Sequence, residues 1–235
     1  MNVSISISPK KIARILTLIV MILIVAFILS IIVTYGIGHD KFHGSRTFVR
    51  LFNLDTESNI PTFYSSSTLM VCSILLAAIT LEKRRINDQF FRHWIFLSGI
   101  FLALSVDEAA SIHEYIDDYF WLFFYGEDVP IFFWIVPAII FVIVLGKSYF
   151  RFLLDLPIES RRLFVLSGGI FLMGTVFLEG IGGMIYGVHG KVNLKYALVS
   201  GGGEALELSS IVLFIYALLR YIEAKVGDFS VSIRD

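Results

Sequence analysis

Residues 94–116 read WIFLSGIFLALSVDEAASIHEYI, an apolar run that nevertheless carries Asp107, Glu108, Ser111, His113 and Glu114. About 20 helical residues rising 1.5 Å each cover the roughly 30 Å of hydrocarbon in a bilayer, so the length of this run decides the fold class. Its polar insert bears on function instead. A carboxylate at the bilayer centre costs roughly 2.5–3.5 kcal/mol on insertion scales, and such residues are retained where they have a use.

Five further apolar runs of similar length flank this one, at 12–37, 62–82, 130–150, 163–186 and 201–222. The chain is 57% hydrophobic, 15% aromatic and only 17% charged, with a mean hydropathy of +0.80. That composition excludes an ordinary soluble domain. In lipid only helices and closed barrels satisfy every backbone group, and runs without period-2 alternation point to helices. The sequence therefore predicts an all-α polytopic membrane protein, with six transmembrane helices forming one domain over residues 1–235. Lys10, Lys11 and Arg14 precede the first run like the charged start of a signal peptide. Apolar character extends from Ile15 to Val33 without a small-x-small cleavage site, which favours a retained anchor. The single Cys72 excludes an internal disulfide and a cysteine zinc site. With a net charge of −1 and no basic stripe, nothing suggests nucleic acid. Nucleotide and haem motifs are likewise missing from the sequence.

Assigning alternate connections to opposite sides of the membrane divides the 19 Lys and Arg residues unevenly. Three groups lie on one side with the N-terminal cations: Lys83, Arg84, Arg85 and Arg92; Lys147, Arg151, Arg161 and Arg162; and Arg220, Lys225 and Arg234. The other side has only Lys41, Arg46, Arg50, Lys191 and Lys195. The positive-inside rule then places both termini in the cytoplasm, as expected for a bacterial plasma-membrane protein. Asp107, Glu108, Glu114, Glu179, Glu204 and Glu207 all fall in the outer part of the membrane in this orientation. His39, His43, His113 and His189 lie on the same side.

The first outer connection, 39–61, is longer than most links in compact bundles. Within it Asn59–Ile60–Pro61 reads as a helix cap followed by an early proline. Read plainly, the segment lies at the interface and anchors by its aromatics. Read functionally, it is a lid bearing Arg50, Asp55 and Glu57 to the outer ends of the spans. The third connection, 117–130, mixes four acids with Tyr119, Phe120, Trp121, Phe123, Phe124 and Tyr125, which suits a headgroup-level segment.

On an ideal helix, at about 100° per residue, Asp107, Ser111 and Glu114 share one stripe, while Glu108 and His113 point elsewhere. Glu204 and Glu207 are neighbours on one face, beside Gly201, Gly202 and Gly203. If the third, fifth and sixth spans converge, Asp107, Glu114, Glu179, Glu204 and Glu207 share a small volume. Like charges 4 Å apart repel by about 4 kcal/mol at an effective dielectric of 20, so such a group needs shared protons, basic partners or a cation. Oxygen ligands favour Ca²⁺, Mg²⁺ or Mn²⁺, and added imidazole shifts the preference toward Zn²⁺ or Fe. The carboxyls could also hold the helices together as structural hydrogen bonds.

The stretches Phe52–Asn53–Leu54–Asp55–Thr56–Glu57–Ser58–Asn59–Ile60–Pro61–Thr62 and Asp107–Glu108–Ala109–Ala110–Ser111–Ile112–His113–Glu114 resemble signatures of an uncharacterised group of bacterial inner-membrane proteins. That resemblance covers most of the chain and implies no activity. In residue type, Asp107, Ser111 and His113 are also similar to the Ser, Asp and His set around zinc in the alkaline ceramidase-like intramembrane hydrolases. Together these readings predict an acidic, cation-binding site near the extracytoplasmic face. One expectation is a metal-dependent enzyme acting on a lipid-like substrate, with Asp107, Ser111, His113 and Glu114 as its catalytic groups and Asp107, Glu114, Glu179, Glu204 and Glu207 as metal ligands. The alternatives are a proton- or cation-coupled transporter and a non-catalytic assembly or sensor subunit.

Overall fold

Two of the helices begin where the sequence supplies an evident start. Pro9 opens α1 (Pro9–Ile31), in the first turn where its missing N–H costs nothing. Asn59 caps α3 (Ile60–Arg85), its side chain accepting from the Thr62 N–H at 3.0 Å, with Pro61 in the first turn. Cations Lys83, Arg84 and Arg85 fill the last turn of α3, where the helix dipole favours them. A tight link, bridged by Lys83 and Asp88 at 2.7 Å, leads into α4 (Phe91–Ala110). Between α1 and α3 lies a short helix, α2 (Ser45–Phe52). Next come α5 (Ile135–Asp155), α6 (Ile158–Leu172), α7 (Glu179–His189) and the long α8 (Leu194–Lys225). The computed structural model describes residues 8–38, 44–113, 115, 135–189 and 193–225, and no strand occurs among them.

Five of these segments are long and apolar enough to cross a membrane: Pro9–Ile37, Ile60–Arg85, Phe91–Ala110, Ile158–Val188 and Leu194–Lys225. The predicted fourth run, 130–150, falls largely on α5, with its first residues outside the described set. Two boundaries move from the sequence expectation. The third helix stops at Ala110 rather than continuing to residue 116, and the last begins at Leu194 rather than residue 201. The first connection, expected as a loop, contains α2.

Packing places α8 at the centre, with Leu208, Ile211, Val212, Phe214, Ile215, Ala217 and Leu218 all buried. At the pole rich in Lys and Arg, Trp94 is nearly inaccessible and packs edge-on against Phe152 and Phe164 and tilted against Tyr221. A second cluster joins Val20, Leu23, Phe27 and Ile31 of α1 to Leu208 and Val212 of α8, and takes in Leu54 from the loop before α3. The opposite face of α1, including Leu18, Met21, Ile22 and Val25, is exposed, as suits a helix solvated by lipid.

Helices α3 and α4 are locked by two reciprocal serine pairs. Ser66 and Ser105 each donate to the other's carbonyl at 2.8 Å. Ser73 and Ser98 do the same at 2.9 Å. Both pairs repeat at seven-residue spacing, the period that keeps one helical seam facing its partner.

Helices α1 and α6 each run on into a π-helical turn, Ile32–Ile37 and Met173–Leu178. The second brings Gly174 against α8 so closely that a β-carbon there would lie 2.6 Å from the Gly203 carbonyl oxygen. Gly201 is similarly confined, since its β-carbon would fall 2.0 Å from the Phe27 ring. The glycines before Glu204 thus allow close approach, from α1 on one side and the π turn on the other.

Candidate functional site

The end of α4 builds the first part of the site. Ser111 takes a left-handed conformation (φ 55°) and its N–H closes the helix on the Asp107 carbonyl. The chain then folds back so that His113 donates its backbone N–H to Asp107 Oδ1 at 2.9 Å. Its Nδ1 lies 3.0 Å from Asp107 Oδ2, and Nε2 lies 3.1 Å from Glu57 Oε1. A carboxylate–imidazole–carboxylate chain therefore links α4 to the loop before α3. Burial alone would depress the His113 pKa, but the Asp107 and Glu57 carboxylates outweigh it and hold His113 above its ordinary value.

This turn corrects the helical stripe expected for Asp107, Ser111 and Glu114. Ser111 lies beyond the last regular turn and its hydroxyl makes no hydrogen bond to His113, so no serine–histidine pair is assembled among the described residues. Glu114 lies outside the described residues, as do His39, His43 and the segment 117–130.

The loop itself is a compact hydrogen-bonded unit. The Asn59 side-chain amide donates to the carbonyls of Asn53, at 2.6 Å, and Thr56, while Asn53 Oδ1 accepts the Asp55 N–H at 3.3 Å. Leu54 anchors the loop in the core, and Ser58 completes the turn with φ 58°. Asp55 Oδ1 accepts hydrogen bonds from Tyr196, at 3.0 Å, and Ser200, one turn apart on α8. Loop residues Asp55 and Glu57 thus reach α8 and the end of α4. Arg50 stands exposed in the last turn of α2.

On α8, Glu204 and Glu207 are only partly accessible to solvent. Glu204 feels the charges of Glu207, Glu108, Glu179 and Asp55, and Glu207 those of Glu179 and Glu108. Thr175 in the π turn sits at Glu207, and Ser65 of α3 at Glu108. Glu179 also acts on His113 and Tyr196. The structure therefore gathers Glu179, Glu204, Glu207 and Asp107 at one pole, together with Asp55 and Glu57.

Glu108 joins this group, contrary to the helical-wheel expectation that it points away. The inward reference on α4 is Ser105, locked to Ser66, and Glu108 lies about 60° from it, against about 160° for Asp107. The seven-residue spacing of Ser98 and Ser105 is the signal that could have found this orientation. Tyr196 and Ser200 carry no such signal, because they precede residue 201, where the apolar run of the last span begins.

A domain-of-unknown-function model, DUF8692, matches residues 14–222. The chain belongs to the DUF8692 family. No curated protein and no solved structure matches it. The matched stretch in this DUF8692 chain includes every carboxylate of the acidic pole. Carboxylates with hydroxyl partners are able to share protons or hold a hard cation such as Ca²⁺, Mg²⁺ or Mn²⁺. Among the described residues, no three His, Cys, Asp or Glu side chains converge closely enough to hold a metal ion, so a metal would have to draw donors such as Glu204, Glu207 and Glu179 together.

Proposed function

We propose that this protein is a six-span bacterial plasma-membrane protein, with both termini cytoplasmic, that takes up a cation at an extracytoplasmic carboxylate cluster and works as a proton- or cation-coupled carrier. The observation that carries the reading is the environment of Glu204, where the charges that act on it most strongly among the described residues are carboxylates: Glu207, Glu108, Glu179 and Asp55. Such a group is stabilised by shared protons or a bound cation, and the His113 chain between Asp107 and Glu57 supplies a route for proton exchange. The opposite pole is filled by Trp94, Phe152, Phe164 and Tyr221, which favours a carrier open to one side at a time over a continuous channel.

A second reading, a metal-dependent enzyme acting on a lipid-like substrate, draws on the exposure of Glu179. It stands at the start of α7 beside exposed Phe177 and Met184, where a lipid could reach the cluster from the side. A bound cation would then activate water, with a carboxylate as general base.

The deciding experiment combines elemental analysis, a thermal-shift screen of Ca²⁺, Mg²⁺, Mn²⁺, Zn²⁺ and Fe²⁺, and proton release from weakly buffered purified protein. Wild type should show a cation-dependent shift with proton release, and Glu204→Gln should lose both while remaining folded. A carrier reconstituted in liposomes should also couple an imposed cation or proton gradient to internal pH. No bound metal, no thermal shift and no proton release would sink the cation site.

A further inference from the structure

At the basic pole, far from the acidic cluster, a cleft of about 320 Å³ opens between the start of α4 and the second half of α5. Its apolar walls are Phe96 on one side and Phe141, Val144 and Leu145 on the other. Phe96, Phe141 and Val144 are each more than half exposed, so the cleft opens outward rather than forming a sealed void. At its mouth stand Arg92, His93 and Ser148.

The imidazole of His93 is rigidly held. Tyr149 donates its hydroxyl to the His93 carbonyl at 2.8 Å, and the ring lies parallel to Phe152 with centroids 5.7 Å apart. Yet His93 Nδ1 is buried without a hydrogen-bond partner among the described residues. Beside it, exposed Arg92 rests near the Phe91 ring and makes no ion pair among the described residues.

We infer that this cleft holds an anionic membrane phospholipid, with its phosphate at Arg92 and one acyl chain along Phe96, Phe141, Val144 and Leu145. Polarity and direction agree with that occupant. The polar groups sit at the membrane edge, and the apolar wall runs about 10 Å toward the bilayer middle, the rise of α5 from Ser148 back to Phe141. Charge agrees as well. Lys147 and Arg151 flank Ser148 on α5, and the cleft lining contains no carboxylate to meet a choline cation. Anionic lipids are drawn to clustered Lys and Arg at the membrane surface.

Native mass spectrometry of the full chain, delipidated in detergent and re-exposed to phosphatidylglycerol or phosphatidylcholine, tests the assignment. Wild type should retain phosphatidylglycerol about five-fold better, the preference one cation gives near a membrane surface. Arg92→Gln should narrow that preference, because the phosphate loses its guanidinium partner while Lys147, Arg151 and the acyl contact remain. Val144→Trp should fill the cleft and reduce retention of both. Equal retention by wild type, or undiminished preference in Arg92→Gln, overturns the proposal. If Val144→Trp does not fold, the Arg92→Gln comparison still decides. Both variants leave the acidic pole intact, so their cation-dependent thermal shifts should match wild type, which separates failure here from failure of the carrier reading.

Discussion

Gly174→Ala is the substitution that most directly loads the junction between the π turn and α8. The added β-carbon would stand 2.6 Å from the Gly203 carbonyl oxygen and 2.9 Å from Glu207 Cγ, where ordinary contact begins at 3.4 Å. The nearer obstacle is backbone, so a side-chain rotation cannot relieve it. Separation of the two helices must grow by most of an ångström. Overpacking of this kind costs about 1–3 kcal/mol, partly offset by up to about 1 kcal/mol from replacing a helical glycine with alanine. With a net cost of about 1–2 kcal/mol, and each kcal/mol moving Tm by about 2–4 °C for a chain of this size, a fall of about 2–8 °C is expected. Gly169→Ala, in α6 with nothing within 4 Å of its added carbon, is the matched control and should hold or gain stability. Intrinsic tryptophan fluorescence during heating in detergent reads both. Because Glu207 moves with the junction, Gly174→Ala should also weaken any cation-dependent shift. A Tm at or above that of Gly169→Ala would refute the close approach.

The remaining predictions concern the loop, the histidine and the buried thiol. Asn59→Ala removes the cap on Thr62 and the amide bonds to Asn53 and Thr56; it should cost about 1–2 kcal/mol and expose residues 53–59 to protease. His113 has a raised pKa in the fold, so its bridge to Asp107 and Glu57 contributes fully below about pH 6.5 and is lost as pH rises through the raised value. The protection of the loop amides relative to their base-catalysed intrinsic exchange should therefore fall toward the alkaline end of pH 5 to 9, and His113→Gln should flatten that dependence. Its ring is 51% exposed, so the effect should be modest in size. Cys72, with no accessible surface, should react with a thiol probe only at the rate of global unfolding. A double-mutant cycle on Ser73→Ala and Ser98→Ala should show coupling of about 0.6 kcal/mol, and additive behaviour would deny the reciprocal bond.

Fold class was legible because membrane length and apolarity act over 20 residues at a time, and local irregularity barely dilutes them. The Asn59 cap with Pro61 was legible for a different reason: it is a short-range hydrogen-bond pattern complete within four residues. The end of α4 was not. Nothing at Ser111 announces a left-handed turn, as glycine or asparagine would, and an ideal helix continued through it turns His113 away from Asp107. Likewise, the π turn at Met173–Leu178 has no compositional mark. It follows from the contact between Gly174 and α8, which is tertiary. Convergence of Glu179, Glu204 and Glu207 was foreseen from small residues near acids, whereas the approach of Asp55 through Tyr196 and Ser200 needed the unforeseen extension of α8 back to Leu194.

The two poles are held by different physics, and that difference bears on how the acidic pole could work. Around Trp94 the helices meet through large interlocking rings, each contact spread over many atoms and costly to separate. Around Glu204 they meet through bare glycine backbone and single hydroxyl bonds to Asp55, Glu207 and Glu108. Each carboxylate there answers to its protonation or to a cation, so the free energy joining the loop, the π turn and α8 varies with what the cluster holds. A bundle bolted at one end and joined at the other by occupancy-dependent contacts should flex at the second. On the proposed carrier reading, loading the carboxylates should draw the loop, α7 and the start of α8 together, and unloading them should let those elements part while the aromatic pole stays shut.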